Sequence, residues 1–282
     1  MRSWLARVLG TLLFATPLLP SSAGAETVYF RNATWPPTPL QQRMAHAPGQ
    51  TIAEQASVRL AGELYRPPGN GPFPAVILLH PCSGRLPAQI EAADAARYTA
   101  LGYALLALDS FGARGIVDGC TGGGLSVDIV MDAYGALLHL ASMPFIDPDR
   151  IALVGYSLGG AVTLSAVAFD GPERLFDRQF RAAIAYYPLC LGLEGGVGVP
   201  TLIFVGGLDD WAPARHCQAL LTGRRSGLGE PMRIVVLPDA HHGFNLKLAA
   251  RRTYGYRLEY SETADHAAWR EAVAFLRQAF GR

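Results

Sequence analysis

Short runs of apolar residues without alternating polar positions recur along the chain from position 75 onwards. Such runs are typical of strands covered on both faces, as in parallel sheets. They occupy residues 75–79, 103–108, 151–154, 182–187, 201–205 and 233–237. Helical stretches separate them, at about 88–101, 126–142, 158–169, 213–225 and 263–280. The alternation predicts an α/β fold with a mostly parallel central sheet and helices on both faces.

The residues before position 75 follow a different pattern. Residues 56–65 alternate between polar and apolar side chains, which predicts a half-exposed strand at an antiparallel edge. Residues 26–54 are rich in Pro, Gln and Ala, and we expect them to form an extended arm on the surface. A single α/β domain is then predicted for residues 55–282, because a segment of this length can fold around one hydrophobic core.

The first residues have the composition of a secretory signal. Arg2 and Arg7 supply positive charge, an apolar run at 8–15 follows, and small residues at 23–25 offer a cleavage site. The alternative is an uncleaved membrane anchor, but a spanning helix needs about 20 apolar residues, and prolines interrupt this shorter run. The pattern therefore predicts a signal peptide at 1–25 and an exported protein, periplasmic or secreted, with no membrane segment after cleavage.

Composition narrows the classes of partner and cofactor. The 282 residues carry a net charge of +1 and are half hydrophobic, so nothing indicates a nucleic acid or an anionic membrane surface as a partner. The four cysteines allow three disulfide pairings, among which spacing alone does not choose. No Cys-x-x-Cys occurs and no cluster of His and Cys has zinc spacing, so neither a metal nor an organic cofactor is expected. The sequence does not indicate an oligomeric state.

A Gly-x-Ser-x-Gly motif follows the third apolar run. Gly155, Ser157 and Gly159 stand between that predicted strand and the helical stretch at 158–169. In this context the glycines permit a very sharp turn, which lifts the serine hydroxyl clear of the sheet. The N-terminus of the following helix favours a developing negative charge. Ser157 is the candidate nucleophile, and an inert serine on a tight turn is the alternative.

A serine nucleophile needs a base, and two further strand ends supply candidates. Asp209 and Asp210 follow the fifth apolar run, and His241 and His242 follow the sixth. The order Ser, Asp, His is the one that an α/β-hydrolase fold requires, and parallel strands end at one sheet edge. We favour Asp209, which leaves its strand first, over Asp210. We favour His242, which precedes a glycine that lets the loop turn tightly, over His241.

An oxyanion hole would complete this arrangement. One backbone N–H comes from the residue after the nucleophile, here Leu158, and the other comes from a loop after an earlier strand. Residues 80–84 form that loop, and the backbone N–H of Cys82 is the candidate donor. The alternative is that the loop only connects a strand to a helix.

These motifs together resemble the dienelactone hydrolase family. The resemblance extends over about residues 55–280 and is closest to an exported, cysteine-containing branch. It rests on the elbow at 155–160, Asp209-x-x-x-Pro213, the Ala-His-His-Gly-Phe segment at 240–244, Leu-Leu-His at 78–80 and the segment at 109–115. The namesake enzymes carry cysteine as the nucleophile, whereas this chain has Ser157. The resemblance therefore implies the fold, the reaction type and the triad, but not dienelactone as the substrate.

The resemblance also implies partners for the cysteines. Cys190 follows the fourth apolar run and Cys217 lies on the helix after the Asp209 loop, so a Cys190–Cys217 disulfide would brace that loop. Cys82 and Cys120 both belong to loops at the active edge, and a bond between them would stiffen the oxyanion loop. Free thiols are the alternative for each pair.

Three further residues are candidates for substrate binding. Arg114 is placed to grip an acidic group of a substrate, unless it pairs with a local carboxylate such as Asp118. Tyr156 and Trp211 either line the pocket or pack in the core.

The function that these observations favour is hydrolysis of a small carboxylic ester or lactone through an acyl-enzyme intermediate. A peptidase or an acyltransferase on the same fold is the alternative enzyme. A non-catalytic binding protein is a third class, but such proteins usually lose a member of the triad, and none is lost here.

Overall fold

The computed structural model describes residues 24–45, 56–121, 127–169, 171–190, 196–223 and 229–281. The signal peptide predicted at 1–25 lies almost entirely outside these residues. Ten strands run along the described chain. They are β1 Glu26–Arg31, β2 Arg59–Tyr65, β3 Phe73–Leu79, β4 Ala104–Asp109, β5 Ile146–Tyr156, β6 Ala182–Tyr186, β7 Thr201–Gly206, β8 Met232–Leu237, β9 Arg251–Thr253 and β10 Tyr256–Leu258.

Six α-helices alternate with these strands. They are α1 Pro39–Ala45, α2 Ala88–Ala100, α3 Ile129–Ala141, α4 Leu158–Ala166, α5 Ala214–Gly223 and α6 Glu262–Ala279. Two of them begin at a side-chain cap, because Asp128 accepts the N–H of Met131 and Ser261 accepts the N–H of Ala264. None of the helices in the described ranges combines the length and the apolarity that crossing a membrane requires.

Eight strands form one sheet in the order β1-β2-β4-β3-β5-β6-β7-β8. The strands from β4 to β8 in that order pair in parallel, whereas β2 pairs antiparallel with both β1 and β4. The mostly parallel α/β fold predicted from the apolar runs is confirmed. Because the parallel strands run in one direction, the loops at their carboxyl ends gather along a single edge of the sheet.

Side chains from both faces of the sheet are buried, which explains why the strands lack alternation. On β3, Val76 and Leu78 belong to one core cluster with residues of α2 and α6. Ala75, Ile77 and Leu79 belong to a second cluster, on the opposite face, with residues of α3. Helices therefore cover both faces, and an apolar residue is needed at every position.

The segment at 26–54, expected to be an extended arm, contributes two elements. Its first residues form the edge strand β1, whose alternate side chains Val28 and Phe30 are buried, and α1 follows. Whether residue 55 is a domain boundary stays a prediction, since positions 46–55 lie outside the described residues.

Candidate active site

Ser157 occupies a sharp turn between β5 and α4. Its φ of 53° is left-handed, a conformation that L side chains rarely adopt. A Cβ atom at Gly155 would lie 2.1 Å from the backbone oxygen of Gly159, and one at Gly159 would lie 2.5 Å from the backbone oxygen of Leu79. Both positions therefore require glycine, and the motif found in the sequence forms the predicted elbow.

Three side chains from three strand ends form one hydrogen-bonded chain. Nε2 of His242 lies 2.9 Å from Oγ of Ser157, and Nδ1 of His242 lies 2.8 Å from Oδ2 of Asp209. When Nδ1–H donates to the carboxylate, Nε2 is left to accept the serine proton. The side chains of Asp209 and His242 are 0% and 4% exposed, so little water competes for these bonds.

The geometry distinguishes Asp209 from Asp210 and His242 from His241. The second carboxylate oxygen of Asp209 accepts the backbone N–H groups of Trp211 and Ala212 at 2.9 and 2.8 Å. Asp210 instead lies nearer the surface and accepts the N–H of Arg257. Nδ1 of His241 lies 3.0 Å from the carbonyl oxygen of Leu208. The structure thus brings Asp209 and His242, rather than Asp210 and His241, to Ser157.

Two backbone N–H groups are candidates for an oxyanion hole. Leu158 is the first residue of α4, so its N–H has no acceptor within the helix. Cys82 lies in the loop after β3 and lines the same cavity as Ser157. The carbonyl oxygen of Cys82 accepts the N–H of Gly119 at 2.7 Å, which fixes the orientation of this part of the loop.

A buried histidine also holds the loop after β3. Nδ1 of His80 lies 2.8 Å from the carbonyl oxygen of Pro81, and Nε2 accepts the backbone N–H of Ser110 at 3.3 Å. Burial lowers the pKa of His80, which keeps the ring neutral and leaves Nε2 able to accept. His80 therefore ties the candidate oxyanion loop to the end of β4.

Both predicted disulfides are present. Cys82 bonds to Cys120 and Cys190 bonds to Cys217, each with a Cα–Cα distance of 4.9 Å. Cys82 and Cys120 line the cavity above Ser157, whereas Cys190 and Cys217, the latter a residue of α5, belong to a buried core cluster.

A mostly apolar cavity of about 240 Å³ opens above Ser157 and His242. Its walls come from the loop after β3, the Asp209 loop, the segment after His242 and the β9–β10 hairpin, together with Cys120, Ser157 and Tyr187. The lining residues include Cys82, Ser83, Tyr187, Trp211, Arg251, Thr253 and Leu258.

The three predicted substrate-binding residues have different surroundings. Arg114 does not line the cavity and does not pair with Asp118. It donates to both carboxylate oxygens of Asp132 at 2.7 and 2.8 Å and to the carbonyl oxygen of Ser110 at 2.6 Å. Burial raises the pKa of Asp132, and the Arg114 guanidinium opposes this rise. The Arg114 guanidinium is held in an ion pair with Asp132, so the prediction that it binds an acidic group of a substrate is wrong.

Tyr156 also has no place in the cavity wall. It is buried in the core, and its hydroxyl donates to Oδ2 of Asp94 at 2.9 Å. Trp211 alone of the three lines the cavity.

Sequence reasoning missed the β9–β10 hairpin, which contributes Arg251, Thr253 and Leu258 to the cavity. The one local signal is the Tyr254-Gly255 turn, in which both residues have positive φ. Sequence reasoning also placed Tyr187 only on a strand, although its ring lies 4.7 Å from that of His242. Within the described ranges, no group of three or more His, Cys, Asp or Glu side chains is arranged to hold a metal ion.

Comparison with known proteins identifies the family of the chain. The model of the dienelactone hydrolase family matches residues 60–280. An uncharacterized protein of Mycobacterium tuberculosis is 29% identical over 233 residues, which cover 76% of this chain and 79% of the relative.

Two solved structures show the same fold. A putative dienelactone hydrolase from Klebsiella pneumoniae is 19% identical with a TM-score of 0.62, over 90% of this chain and 99% of the other. A dienelactone hydrolase-like promiscuous phosphotriesterase from metagenomic libraries is 20% identical with a TM-score of 0.64, over 90% and 98%. Since the family model spans most of the chain, this protein belongs to the dienelactone hydrolase family and is a hydrolase of the α/β-hydrolase fold.

Proposed function

We propose that this hydrolase cleaves small carboxylic esters or lactones through an acyl-enzyme intermediate on Ser157. The observation that carries the proposal is the chain of hydrogen bonds from Asp209 through His242 to Ser157. A serine hydroxyl is a weak nucleophile unless a base removes its proton during attack, and this chain supplies the base.

Each residue has one role in the proposed reaction. Oγ of Ser157 attacks the carbonyl carbon while its proton passes to Nε2 of His242. The N–H groups of Leu158 and Cys82 donate to the oxyanion that forms. When the C–O bond breaks, His242 protonates the leaving oxygen, and Asp209 stabilises the imidazolium in between. Water then attacks the acyl-enzyme by the reverse sequence and releases the acid.

The cavity supports a compact substrate. Its volume of about 240 Å³ lies below the range of roughly 300–1,000 Å³ that is usual for sites of drug-sized ligands. Its apolar walls suit an acyl group or a lactone ring without a long chain. We therefore expect acetyl and propionyl esters and small lactones to be better substrates than long-chain esters.

We also propose that the protein acts outside the cytoplasm. The two disulfides support this, because such bonds persist mainly in oxidising compartments. The signal-like composition of residues 1–25 points in the same direction.

Hydrolysis of p-nitrophenyl acetate and of γ-butyrolactone by purified protein tests the function. We expect Ser157→Ala to lower kcat by about 10³-fold or more, because the variant lacks the hydroxyl that contacts Nε2 of His242. Ser165→Ala is the matched control, since Ser165 is an exposed serine on α4 that does not line the cavity, and it should retain activity. Equal activity of Ser157→Ala and the wild type would refute the proposal.

A further inference from the structure

We propose that the β9–β10 hairpin holds His242 in its reactive orientation through a stack of aromatic rings, with Trp211 as a positioning residue and Tyr256 as its support. The proposal rests on the function proposed above, because it concerns the base of that reaction. It assigns a role to the hairpin and to Trp211 that goes beyond lining the cavity.

Trp211 contacts two members of the hydrogen-bonded chain. Its backbone N–H donates to Oδ1 of Asp209 at 2.9 Å. Its ring lies over the ring of His242, with centroids 5.0 Å apart and planes inclined by 31°. Trp211 therefore constrains the carboxylate through its backbone and the imidazole through its side chain.

A second aromatic ring, that of Tyr187, also lies against the imidazole. The two ring centroids are 4.7 Å apart, and the Tyr187 hydroxyl donates to Oδ1 of Asn245 at 2.7 Å, which fixes that ring. With these two rings packed against it, the imidazole of His242 has little freedom to rotate about its side-chain bonds. Both of its nitrogens stay aligned with their partners only while Trp211 keeps its place.

Tyr256 of the hairpin supports the outer face of Trp211. These two rings are stacked, with centroids 5.0 Å apart and planes inclined by 16°. Trp211 is thus enclosed between Tyr256 and His242. Removal of the Tyr256 ring would leave a gap behind Trp211 into which the indole could move, away from His242.

The hairpin is itself anchored at both ends. Leu258 forms a backbone bridge with His242, and the N–H of Glu259 donates to the carbonyl oxygen of His242 at 3.2 Å. At the tip, the Tyr254 hydroxyl donates to Oδ2 of Asp118 at 2.7 Å, close to Cys120. These contacts keep Tyr256 at a fixed distance from the site.

Tyr256 provides the cleaner test, because it does not line the cavity whereas Trp211 does. A change at Trp211 alters both the substrate surface and the orientation of His242. A change at Tyr256 should alter orientation alone, which lowers kcat and leaves KM nearly unchanged.

We expect Tyr256→Leu to lower kcat for p-nitrophenyl acetate by about tenfold, since misplacement of a catalytic group by a fraction of an ångström is costly. Tyr256→Phe keeps the ring and should match the wild type. Tyr29→Leu is the matched control, because Tyr29 is 55% exposed on the distant strand β1. Thermal unfolding followed by circular dichroism establishes that each variant is folded.

A double-mutant cycle separates positioning from a general structural effect. If Tyr256 acts through Trp211, Tyr256→Leu should change kcat by no more than about twofold in a Trp211→Leu background, because coupled residues are not additive. The same tenfold loss in both backgrounds would overturn the proposal, and so would full kcat in Tyr256→Leu. Either result leaves the proposed function intact as long as Ser157→Ala is inactive.

Discussion

At the scale of single residues, neighbours in the sequence differ in what their side chains can reach. His241 and His242 are adjacent, yet only His242 has one nitrogen on Asp209 and the other on Ser157. His241 faces Leu208 and Glu259 instead. The glycine at 243, with a φ of 73°, turns the chain directly after His242, as the sequence suggested.

The first prediction concerns these two histidines. His242→Ala should lower kcat by about 10³-fold or more, because Oγ of Ser157 loses the imidazole that is placed to accept its proton. His241→Ala should retain most of the activity, since His241 contacts neither Ser157 nor Asp209. Steady-state kinetics on p-nitrophenyl acetate decides the matter, and the opposite ranking would show that the wrong histidine was assigned.

Residues with one role required by chemistry could be predicted from the sequence, and residues with several possible partners could not. Ser157, Asp209 and His242 follow from chain order and from their places after buried strands. Arg114 could not be assigned, because its partner Asp132 is 18 residues away on α3 and becomes a neighbour only in the folded chain. Trp211 was left between two roles for the same reason.

At the scale of elements, the buried strands were predictable and the β9–β10 hairpin was not. A strand covered on both faces needs an apolar residue at every position, which leaves a clear trace in the sequence. The hairpin strands have three residues each and are largely exposed, so no hydrophobic period marks them. The edge strand β1 was expected only as extended chain, since one side of it is open to solvent.

The second prediction concerns the Cys190–Cys217 disulfide, which spans 27 residues. Replacing both cysteines by alanine should lower the free energy of unfolding by about 3–4 kcal/mol, because the unfolded chain regains the entropy of that loop. Urea unfolding measures the change. An unaltered unfolding midpoint would show that the bond contributes nothing to stability.

The third prediction concerns the Cys82–Cys120 disulfide, which joins two loops of the cavity wall. Replacing both cysteines by alanine should lower kcat by about tenfold or more even below the unfolding temperature, because the candidate oxyanion donor at Cys82 loses its brace. The variant that lacks Cys190 and Cys217 is the comparison. Its free energy of unfolding should fall, while its kcat should fall less than that of the variant that lacks Cys82 and Cys120. Equal kcat for the wild type and the Cys82 and Cys120 variant would contradict a bracing role.

At the scale of the whole molecule, the buried carboxyl of Asp94 contributes to the pH dependence of stability. Asp94 is a buried residue of α2, and burial raises its pKa to about 6, an effect to which Asp265 and Glu91 add. The Tyr156 hydroxyl and the Arg97 guanidinium oppose the rise. At a pH between these two pKa values, Asp94 keeps its proton in the folded protein, whereas in the unfolded chain, with a pKa of 3.8, it has lost that proton.

The fourth prediction follows from this difference. Because the folded pKa is the higher one, the contribution of Asp94 to the free energy of unfolding falls by about 3 kcal/mol as pH rises from about 4 to about 6, and it stays lower above that. Asp94→Asn keeps the acceptor for Tyr156 and removes the titration, so it should gain stability over the wild type as pH rises through this window.

Urea unfolding between pH 4 and pH 7.5 measures this gain. Asp149→Asn is the control, since Asp149 is 89% exposed and should show no pH-dependent difference. A constant difference between Asp94→Asn and the wild type across the pH range would contradict the account of Asp94.

The central claim is that Ser157 is an activated nucleophile, and covalent labelling tests it most directly. The folded protein is treated with a fluorophosphonate, and the modified residue is located by peptide mass spectrometry. We predict one adduct, on Ser157, that is absent in Ser157→Ala and strongly reduced in His242→Ala. An adduct on another residue, or none on protein that hydrolyses esters, would contradict the account.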